Sequence, residues 1–430
     1  MSRVALAGDG TMADREEFYE LDCLRGIAMC LVFAIHAEGI VRWAYTVPPD
    51  TSFWWSFIYG GHTAPTLFFV LSAFLLSRPF LAELRGSRRV NIENYFARRA
   101  LRIMPLYVVA VLIAIVCTSS TTTQALHALP YLAFANAIPG AVTPMDPFSG
   151  PWWTVCAEVE FYIVLPLLAL AARSRRGRVA AVGFLLAYVG VYTGLALGAF
   201  GFSKDMRYVL SHTALGRGPS FLAGILAAVV YDRWGADVRD WGARHGRVAR
   251  LGGDVLMLGA VLAVGKLLQW RVTTSTYLDS ETAWPLWRIP ESLLWAAVML
   301  VLVVVPMHVK PLFANRLWAR LGVLSYSIYL IHTPVLLYGR AVTNAWFPDT
   351  LQGWNPGSAT AVGIMAAFTL WLAVRTHSGI EVPFMRRKAR VPVLAPSLGA
   401  PSSVPVIAFP GAALPAEARL HHTPRPPEAL

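Results

Sequence analysis

The sequence predicts an all-α membrane protein, a polytopic bundle of about ten transmembrane helices with both termini in the cytoplasm. Of its 430 residues, 56% are hydrophobic and only 14% are charged, whereas a soluble domain has roughly a quarter charged residues. The chain also has ten apolar runs, each near the length of about 20 residues that a helix needs to span a bilayer. In addition, basic residues are concentrated in every second loop.

The predicted spans are apolar runs separated by polar loops, and they cover residues 24–42, 53–80, 97–118, 152–172, 179–200, 208–231, 254–270, 284–306, 318–339 and 357–375. Segment 1–20 is polar and acidic, unlike the basic start of a cleaved signal peptide. We therefore expect a cytoplasmic segment there, followed by a first span that stays in place as a signal anchor. Residues 21–390 then form one transmembrane domain, and the Pro-, Ala- and Ser-rich residues 391–430 a disordered cytoplasmic tail.

The loops after the second, fourth, sixth, eighth and tenth spans carry clusters of basic residues. These are Arg85, Arg88, Arg89, Arg98 and Arg99; Arg173, Arg175, Arg176 and Arg178; Arg233, Arg239, Arg244, Arg247 and Arg250; Lys310 and Arg316; and Arg386, Arg387, Lys388 and Arg390. The intervening stretch 119–151 contains none. By the positive-inside rule, this alternation assigns the basic loops and both termini to the cytoplasm. The net charge of +12 is thus a topology signal and does not indicate a nucleic-acid partner.

The first span carries an arginine and a histidine at the two ends of an apolar run, RGIAMCLVFAIH. Eleven residues make about three helical turns, so Arg25 and His36 share one face, about 16 Å apart along the axis. Asp22 lies on the same stripe and can pair with Arg25. An ionisable residue as deep as His36 usually faces a cavity or a partner. The alternatives are a structural histidine between helices and an arginine that anchors the helix end.

Four further stretches place polar residues in or beside apolar spans: GGHTAPTLFFVLSAFLL at 60–76, YFARRALR at 95–102, WWTVCAEVEFYIVLPLL at 152–168 and SYSIYLIHTPV at 325–335. With the first span, they resemble the acyltransferase-3 family of integral membrane O-acyltransferases. The matching motifs are the arginine–ten residues–histidine pattern, FFVLSAF, Arg99 to Arg102, WTVCAEVEFY, SYSIYLIH and IEVPF at 380–384. Each motif is weak alone, but the set in family order is specific and covers about residues 20 to 385.

The sequence departs from the family pattern in two places. Ala73 follows Ser72 where the family usually has glycine, which implies different packing. Val159 follows Glu158 where the family often has a second acid, and Glu160 stands where glutamine is common. The family role is therefore carried over to Glu158, and Glu160 is left without one.

The resemblance implies O-acylation, in which a short acyl group, acetyl or similar, moves from acyl-CoA as co-substrate to a hydroxyl group. No permanently bound cofactor is implied, and the four cysteines lack metal-ligand spacing, so we predict no metal. The implied donor-binding residues are Arg25, Arg99 and Arg102. Guanidinium groups suit phosphate oxygens, although anchoring of the helix ends is the alternative. The implied substrate-binding residues are Ser72, Arg217 and His332.

Acyl transfer to an alcohol needs a base that removes the hydroxyl proton, and an imidazole suits that task. His36 and Glu158 each lie about six residues, or 9 Å, below the outer ends of their spans. Because the depths match, we expect Glu158 to accept a hydrogen bond from His36, which orients the imidazole and stabilises the imidazolium. The alternative for Glu158 is a packing acid paired with an arginine.

A proton-coupled secondary transporter is the main non-enzyme alternative, since buried His, Glu and Arg also form proton relays. Transporters usually show paired repeats or matching broken helices, and this sequence shows neither. A purely structural membrane protein fits the intramembrane charges less well. The other large family of membrane acyltransferases, which also uses an intramembrane histidine, lacks this ordered set of motifs. The sequence assigns no role to His62 or Glu291.

The acceptor is left open by the resemblance. Members of the family modify envelope polysaccharides, peptidoglycan or lipid-linked sugars, and others acylate sugar hydroxyls of macrolide-type antibiotics. We therefore expect the partners to be an acyl-CoA donor, a glycan or glycosylated small-molecule acceptor, and the lipid bilayer. The expected location is the bacterial cytoplasmic membrane.

Overall fold

The structure, a computed structural model, describes residues 19–42, 52–86, 89–135, 144–274 and 284–389. Within these ranges the regular elements are all helical and no strand occurs, which confirms the predicted all-α class. The predicted tail 391–430 and nearly all of segment 1–20 lie outside the described residues. Tyr19 and Glu20, at the end of that segment, already belong to the first helix.

Fourteen α-helices follow one another along the described chain. They are α1 (Tyr19–Arg42), α2 (Phe53–Tyr59), α3 (Ala64–Leu84), α4 (Ile92–Thr118), α5 (Thr122–Ala128), α6 (Trp153–Ala172), α7 (Arg175–Ala196), α8 (Lys204–Ser211), α9 (Ala214–Thr274), α10 (Trp284–Val304), α11 (Lys310–Phe313), α12 (Arg316–Trp346), α13 (Pro356–Thr376) and α14 (Val382–Ala389). Three 3₁₀ segments (Gly60–Thr63, Leu129–Ala133 and Gly150–Trp152) and one π-helical turn (His377–Glu381) join some of them.

Nine helical segments of the described chain are long and apolar enough to cross a membrane. Eight of the ten predicted spans fall within one of these segments. The fifth helix ends at Ala196 rather than at 200, and the eighth, predicted for 284–306, ends at Val304. One segment, Asp205–Thr273, contains both the sixth and the seventh predicted spans. The predicted bundle of transmembrane helices is confirmed, and α9 accounts for the difference between nine segments and ten spans.

Helix α9 changes direction at Gly246, whose φ of 44° and ψ of −101° are not helical. A residue without Cβ adopts such a backbone at the least cost. Before this point, Asp232 pairs with Arg85 just beyond the last turn of α3, at an Oδ2–Nη2 distance of 2.8 Å. After it, the backbone of Gly265 packs against the ring of Phe53 in the first turn of α2. Because these partners lie at opposite ends of the segment Phe53–Leu84, the two arms of α9 run in opposite directions and make two passes.

Helices α1 and α12 pack backbone against backbone through two glycines. A Cβ added at Gly26 would lie 2.1 Å from the Trp318 carbonyl oxygen, and one added at Gly322 would lie 1.8 Å from the Asp22 carbonyl oxygen. Small residues allow such close approach between membrane helices. The two helices run parallel here, so residues about ten positions further along each helix, some 15 Å higher, are again neighbours.

Ion pairs gather the basic loops at one end of the bundle. Arg173 Nε lies 2.6 Å from Glu83 Oε1, which joins the end of α6 to the end of α3. Lys310 Nζ lies 2.7 Å from Glu20 Oε1, which joins α11 to the start of α1. We call this the arginine-rich end. Its location in the cytoplasm stays a prediction from the sequence.

Candidate active site

Two histidines face each other where α1 and α12 run side by side. The ring centroids of His36 and His332 are 4.8 Å apart, and the rings meet edge to face. His332 is fully buried, whereas His36 keeps part of its surface accessible. The sequence placed both residues in the site through separate motifs, and the parallel packing of α1 and α12 brings them into contact.

The hydrogen bonds of the two rings fix their tautomers. His36 Nδ1 lies 2.8 Å from the Val32 carbonyl oxygen, and His332 Nδ1 lies 2.8 Å from the Tyr329 carbonyl oxygen. A carbonyl oxygen only accepts, so each Nδ1 carries a hydrogen and each neutral ring has its lone pair on Nε2. His332 Nε2 lies 3.3 Å from the Thr333 hydroxyl. His36 therefore presents the more accessible basic nitrogen.

The start of α6 packs against this histidine pair. The Tyr329 hydroxyl lies 2.6 Å from the Pro151 carbonyl oxygen and 2.8 Å from Thr154 Oγ1, and its ring centroid is 5.7 Å from that of His332. Thr154 lies in the first turn of α6 and Pro151 in the 3₁₀ segment just before it, so this end of the site combines α1, α12 and the start of α6.

Arg217 lies nearby in the first turn of α9 and is one of the largest fully buried side chains. Its guanidinium carbon sits 4.4 Å above the ring of Trp153, and its Nε donates a 2.7 Å hydrogen bond to the Ser211 carbonyl oxygen. Trp153 precedes Thr154, whose hydroxyl donates a hydrogen bond to the Tyr329 hydroxyl. Arg217 therefore packs on the same first turn of α6 that contacts Tyr329.

Glu158 lies in a separate contact. The Ser72 hydroxyl donates a 2.5 Å hydrogen bond to Glu158 Oε1, which joins α3 to α6. Tyr162, one turn further along α6, interacts with both Glu158 and Arg99, and the Arg99 guanidinium carbon is 5.9 Å from the Tyr162 ring centroid. The structure thus brings the predicted residues Ser72, Glu158 and Arg99 together.

The predicted hydrogen bond between His36 and Glu158 is absent from the structure, in which both residues are described. His36 donates to the Val32 carbonyl, and Glu158 accepts from Ser72. Matched depth fixes the height of two side chains in a membrane but not the direction in which each points around its helix axis. The catalytic roles predicted for the two residues stay predictions, without that contact.

At the arginine-rich end, five basic side chains form a cluster. Lys388 interacts electrostatically with Arg25, Arg98, Arg99 and Arg102, and Arg98 Nη1 donates a 3.1 Å hydrogen bond to the Lys388 carbonyl oxygen. We call these five residues the basic cluster. It contains all three predicted donor-binding arginines. The predicted pair of Arg25 with Asp22 is confirmed, with an Nη1–Oδ1 distance of 2.7 Å.

Sequence reasoning missed Lys388 and Glu381 as neighbours of these arginines. Arg102 Nη1 lies 3.5 Å from Glu381 Oε2 and 3.2 Å from Met385 Sδ. Both partners follow the tenth span, where an RRK run and the motif IEVPF are visible in the sequence. The motif was assigned to the family without a role, and only the docking of α14 against α4 shows what it contacts.

The three intramembrane ionisable residues to which the sequence assigned no role have structural contacts. Glu160 Oε2 accepts a 2.6 Å hydrogen bond from the backbone nitrogen of Ala214, the first residue of α9. Glu291 lies 3.2 Å from Arg288 within α10. His62 Nδ1 lies 3.0 Å from the Tyr59 carbonyl oxygen. These contacts are typical of helix capping and packing.

A large apolar cavity of about 1010 Å³ lies between α4, α12 and α13, lined by residues such as Leu106, Leu330 and Phe368. None of the predicted site residues, all of which lie in the described ranges, lines it. The polar groups of the site lie instead among α1, α3, α4, α6, α9 and α12.

Comparison with known proteins agrees with the motifs. A family described as an acyltransferase domain matches residues 18–376, which include every site residue predicted from the sequence. The chain is 24% identical over 350 residues to "Acyltransferase MdmB" of Streptomyces mycarofaciens, and this alignment covers 77% of the chain and 82% of that relative. No solved structure matches the chain.

Proposed function

The chain belongs to the acyltransferase-3 family and is an acyl-transferring enzyme with membrane-spanning helices, and we propose that it moves a short acyl group from acyl-CoA to a hydroxyl of a carbohydrate-containing acceptor. The family predicted from the motifs is confirmed. The donor, the acceptor and the roles of individual residues belong to the proposal.

The observation that carries the proposal is the arrangement of polar groups through the bundle. The basic cluster lies at the arginine-rich end, and the histidine pair lies further along the parallel helices α1 and α12. Arg25 and His36 are separated by about 16 Å along α1. A donor with anionic phosphates at one end and a thioester at the end of a long, thin arm suits this separation. The phosphates would bind the basic cluster, and the thioester would extend toward His36.

The reaction follows from these positions. His36 Nε2 accepts the proton of the acceptor hydroxyl as the oxygen attacks the thioester carbonyl carbon. The tetrahedral intermediate then collapses, the carbon–sulfur bond breaks, and the thiolate of CoA takes the proton from the imidazolium. The products are an ester and the free thiol. The Val32 carbonyl accepts from Nδ1 and so holds the tautomer in which Nε2 is the base. From the sequence we had expected Glu158 to orient the imidazole.

In the proposal, Glu158 acts on His36 without a hydrogen bond to it. It accepts a hydrogen bond from Ser72 and, through Tyr162, lies close to Arg99. A carboxylate at this place stabilises positive charge nearby, including a transient imidazolium, without contact to it. Ser72, Arg217 and His332 would line the path of the substrates.

The acceptor class comes from the family resemblance alone, as an envelope glycan or a glycosylated metabolite such as a macrolide. The proposed location is the bacterial cytoplasmic membrane, with the donor entering at the arginine-rich end from the cytoplasm. Membership of an acyltransferase family leaves the proton-coupled transporter without a supporting observation.

The proposal is tested by mass spectrometry of envelope glycans and secreted metabolites from strains with and without the gene. We expect a glycan or glycosylated metabolite that carries an acyl ester only when the gene is present, and that loses it when His36→Ala replaces the wild type. Purified protein should then transfer labelled acetyl from acetyl-CoA to the identified acceptor. Unchanged acyl esters in both fractions, together with no binding of CoA to purified protein, would contradict the proposal.

A further inference from the structure

The cytoplasm-facing helix end predicted after the tenth span contains a departure from regular helix geometry. After α13, residues His377–Glu381 form a π-helical turn before α14 begins. Such turns are rare and occur often at functional sites. Within this turn His377 lies 3.5 Å from Glu381, and Glu381 in turn pairs with Arg102.

Glu381 is a nearly enclosed carboxylate with three partners from different elements. Ser327 of α12 donates a short hydrogen bond to Oε1, while Arg102 of α4 and His377 each approach Oε2 to 3.5 Å. Only 2% of its side chain is exposed. An enclosed carboxylate is costly unless it is paired and hydrogen-bonded, and here each oxygen has a partner. Glu381 therefore fixes the positions of α12, the π-helical turn and the Arg102 side chain relative to one another.

Arg102 keeps capacity for a ligand in this arrangement. Its contacts with Glu381 and Met385 both use Nη1, and a guanidinium has five N–H donors. Of its side chain, 23% is exposed. Lys388 interacts electrostatically with Arg102 and also with Arg25, Arg98 and Arg99, and the like charges of this basic cluster repel one another. The Glu381 carboxylate offsets part of that repulsion at Arg102 and holds its side chain in the cluster.

We propose that Glu381 is a positioning residue that holds the Arg102 guanidinium in the basic cluster for the phosphates of the acyl donor. The inference rests on the proposed function, since it takes the donor to be an acyl-CoA. It assigns a purpose to the π-helical turn and to the IEVPF motif. Removal of the Glu381 charge should weaken donor binding through Arg102, although Glu381 itself does not touch the donor.

The test compares Glu381→Gln with wild type in lipid nanodiscs. Glutamine keeps the shape and can still accept the hydrogen bond from Ser327, but it lacks the charge that holds Arg102. We expect about tenfold weaker binding of CoA by titration calorimetry, and a similar rise in KM for acetyl-CoA with an unchanged KM for the acceptor. Glu381→Asp, which retains the charge, should recover part of the loss. Ser378→Ala is the matched control, because Ser378 lies in the same turn and bonds only to the Arg375 carbonyl.

A double variant shows whether Glu381 acts through Arg102. If it does, Arg102→Ala combined with Glu381→Gln should bind CoA no more weakly than Arg102→Ala alone, since coupled residues are not additive. Equal CoA affinity for wild type and Glu381→Gln would overturn the inference. So would additive losses in the double variant, or a Glu381→Gln loss that only follows a fall in melting temperature. Failure of the wild type itself to bind CoA would instead overturn the proposed function.

Discussion

Two arginine–glutamate pairs, each with an enclosed carboxylate, lie in different parts of the bundle and differ in what surrounds the arginine. In α10, Arg288 and Glu291 are 3.2 Å apart on one helix, and their side chains are 0% and 1% exposed. In the other pair, Arg102 and Glu381 come from two elements, and the Arg102 side chain is 23% exposed. The first pair is sealed on all sides, whereas the second has one open side.

The contacts around the sealed pair explain its enclosure. The Thr66 hydroxyl donates a 3.0 Å hydrogen bond to Glu291 Oε2, and Arg288 lies 3.4 Å from the same hydroxyl. The ring of Trp287 lies 4.2 Å below the Arg288 guanidinium carbon. A ligand could reach Arg288 only if these contacts opened. Arg288 and Glu291 therefore support packing, whereas Arg102 keeps accessible surface through which the proposed donor can reach it.

Among the accessible residues of the candidate site, His36 should show the largest effect on turnover. The variant His36→Ala should lower turnover by about 10²–10⁴-fold, because a general base typically contributes that much. Its melting temperature in detergent should stay near that of wild type, since the hydrogen bond of the His36 side chain is made within its own helix. His245→Ala is the control, because this exposed histidine also bonds to its own helix and lies far along α9. Turnover above about a tenth of wild type would exclude His36 as the base.

A substitution in the sealed pair Arg288 and Glu291 should lower stability and leave turnover unchanged. Glu291→Ala removes the carboxylate beside a buried guanidinium, and breaking such a pair typically costs about 3–5 kcal/mol. We expect a lower unfolding midpoint in nanodiscs and less folded protein. Turnover per folded molecule and both KM values should be unchanged. A selective change in one KM at unchanged stability would show that Arg288 and Glu291 belong to the active site, and the comparison would then be wrong.

The spans and the family could be predicted from the sequence, because the membrane imposes apolar runs of fixed length and makes each intramembrane charge conspicuous. The roles of the site residues stay predictions. The contact between His36 and His332 could not be predicted from the sequence. It depends on Gly26 meeting Trp318 and Gly322, nearly three hundred positions apart in the chain. The hydrogen bond expected between His36 and Glu158 is absent for the same reason, since the direction of the Glu158 side chain is set by how α6 packs on α3.

The two passes of α9, in contrast, could be predicted from the sequence. Composition alone separated the apolar runs 208–231 and 254–270, and the structure agrees by reversing the chain at Gly246. The π-helical turn has no comparable signal, because HSGIE has no composition that separates it from an α-helical end. Its contact with Arg102 becomes visible only once α14 is docked.

Arg102 tests the open pair directly, with an effect smaller than that of the base. The variant Arg102→Ala should raise KM for acetyl-CoA by roughly ten- to a hundredfold, since a charge-assisted hydrogen bond contributes about 1.5–3 kcal/mol. KM for the acceptor should not change. Arg85→Ala is the matched control, because Arg85 lies at the same end but pairs with Asp232. A similar rise for both variants, or in both KM values, would favour helix anchoring over donor binding.

The smallest predicted effect concerns Ser72 and Glu158, and it separates the observed contact from the one expected by depth. Ser72→Ala should lower turnover several-fold, because it removes one hydrogen bond to a carboxylate. If Glu158 works with Ser72, the two variants should be coupled, and Glu158→Gln with Ser72→Ala should be hardly worse than Glu158→Gln alone.

The contrasting pair is Glu158→Gln with His332→Ala. His332 is in contact with His36. If Glu158 works with Ser72 and not with the histidine pair, the fall in turnover caused by His332→Ala should add fully to the fall caused by Glu158→Gln. The measurement is turnover for the three single variants and the two doubles, with melting temperature recorded for each. Strong coupling of Glu158 to His332 but not to Ser72 would mean that the carboxylate turns toward the histidines during the reaction. The pairing expected from matched depth would then hold in the working enzyme, and the Ser72 contact would be a resting one.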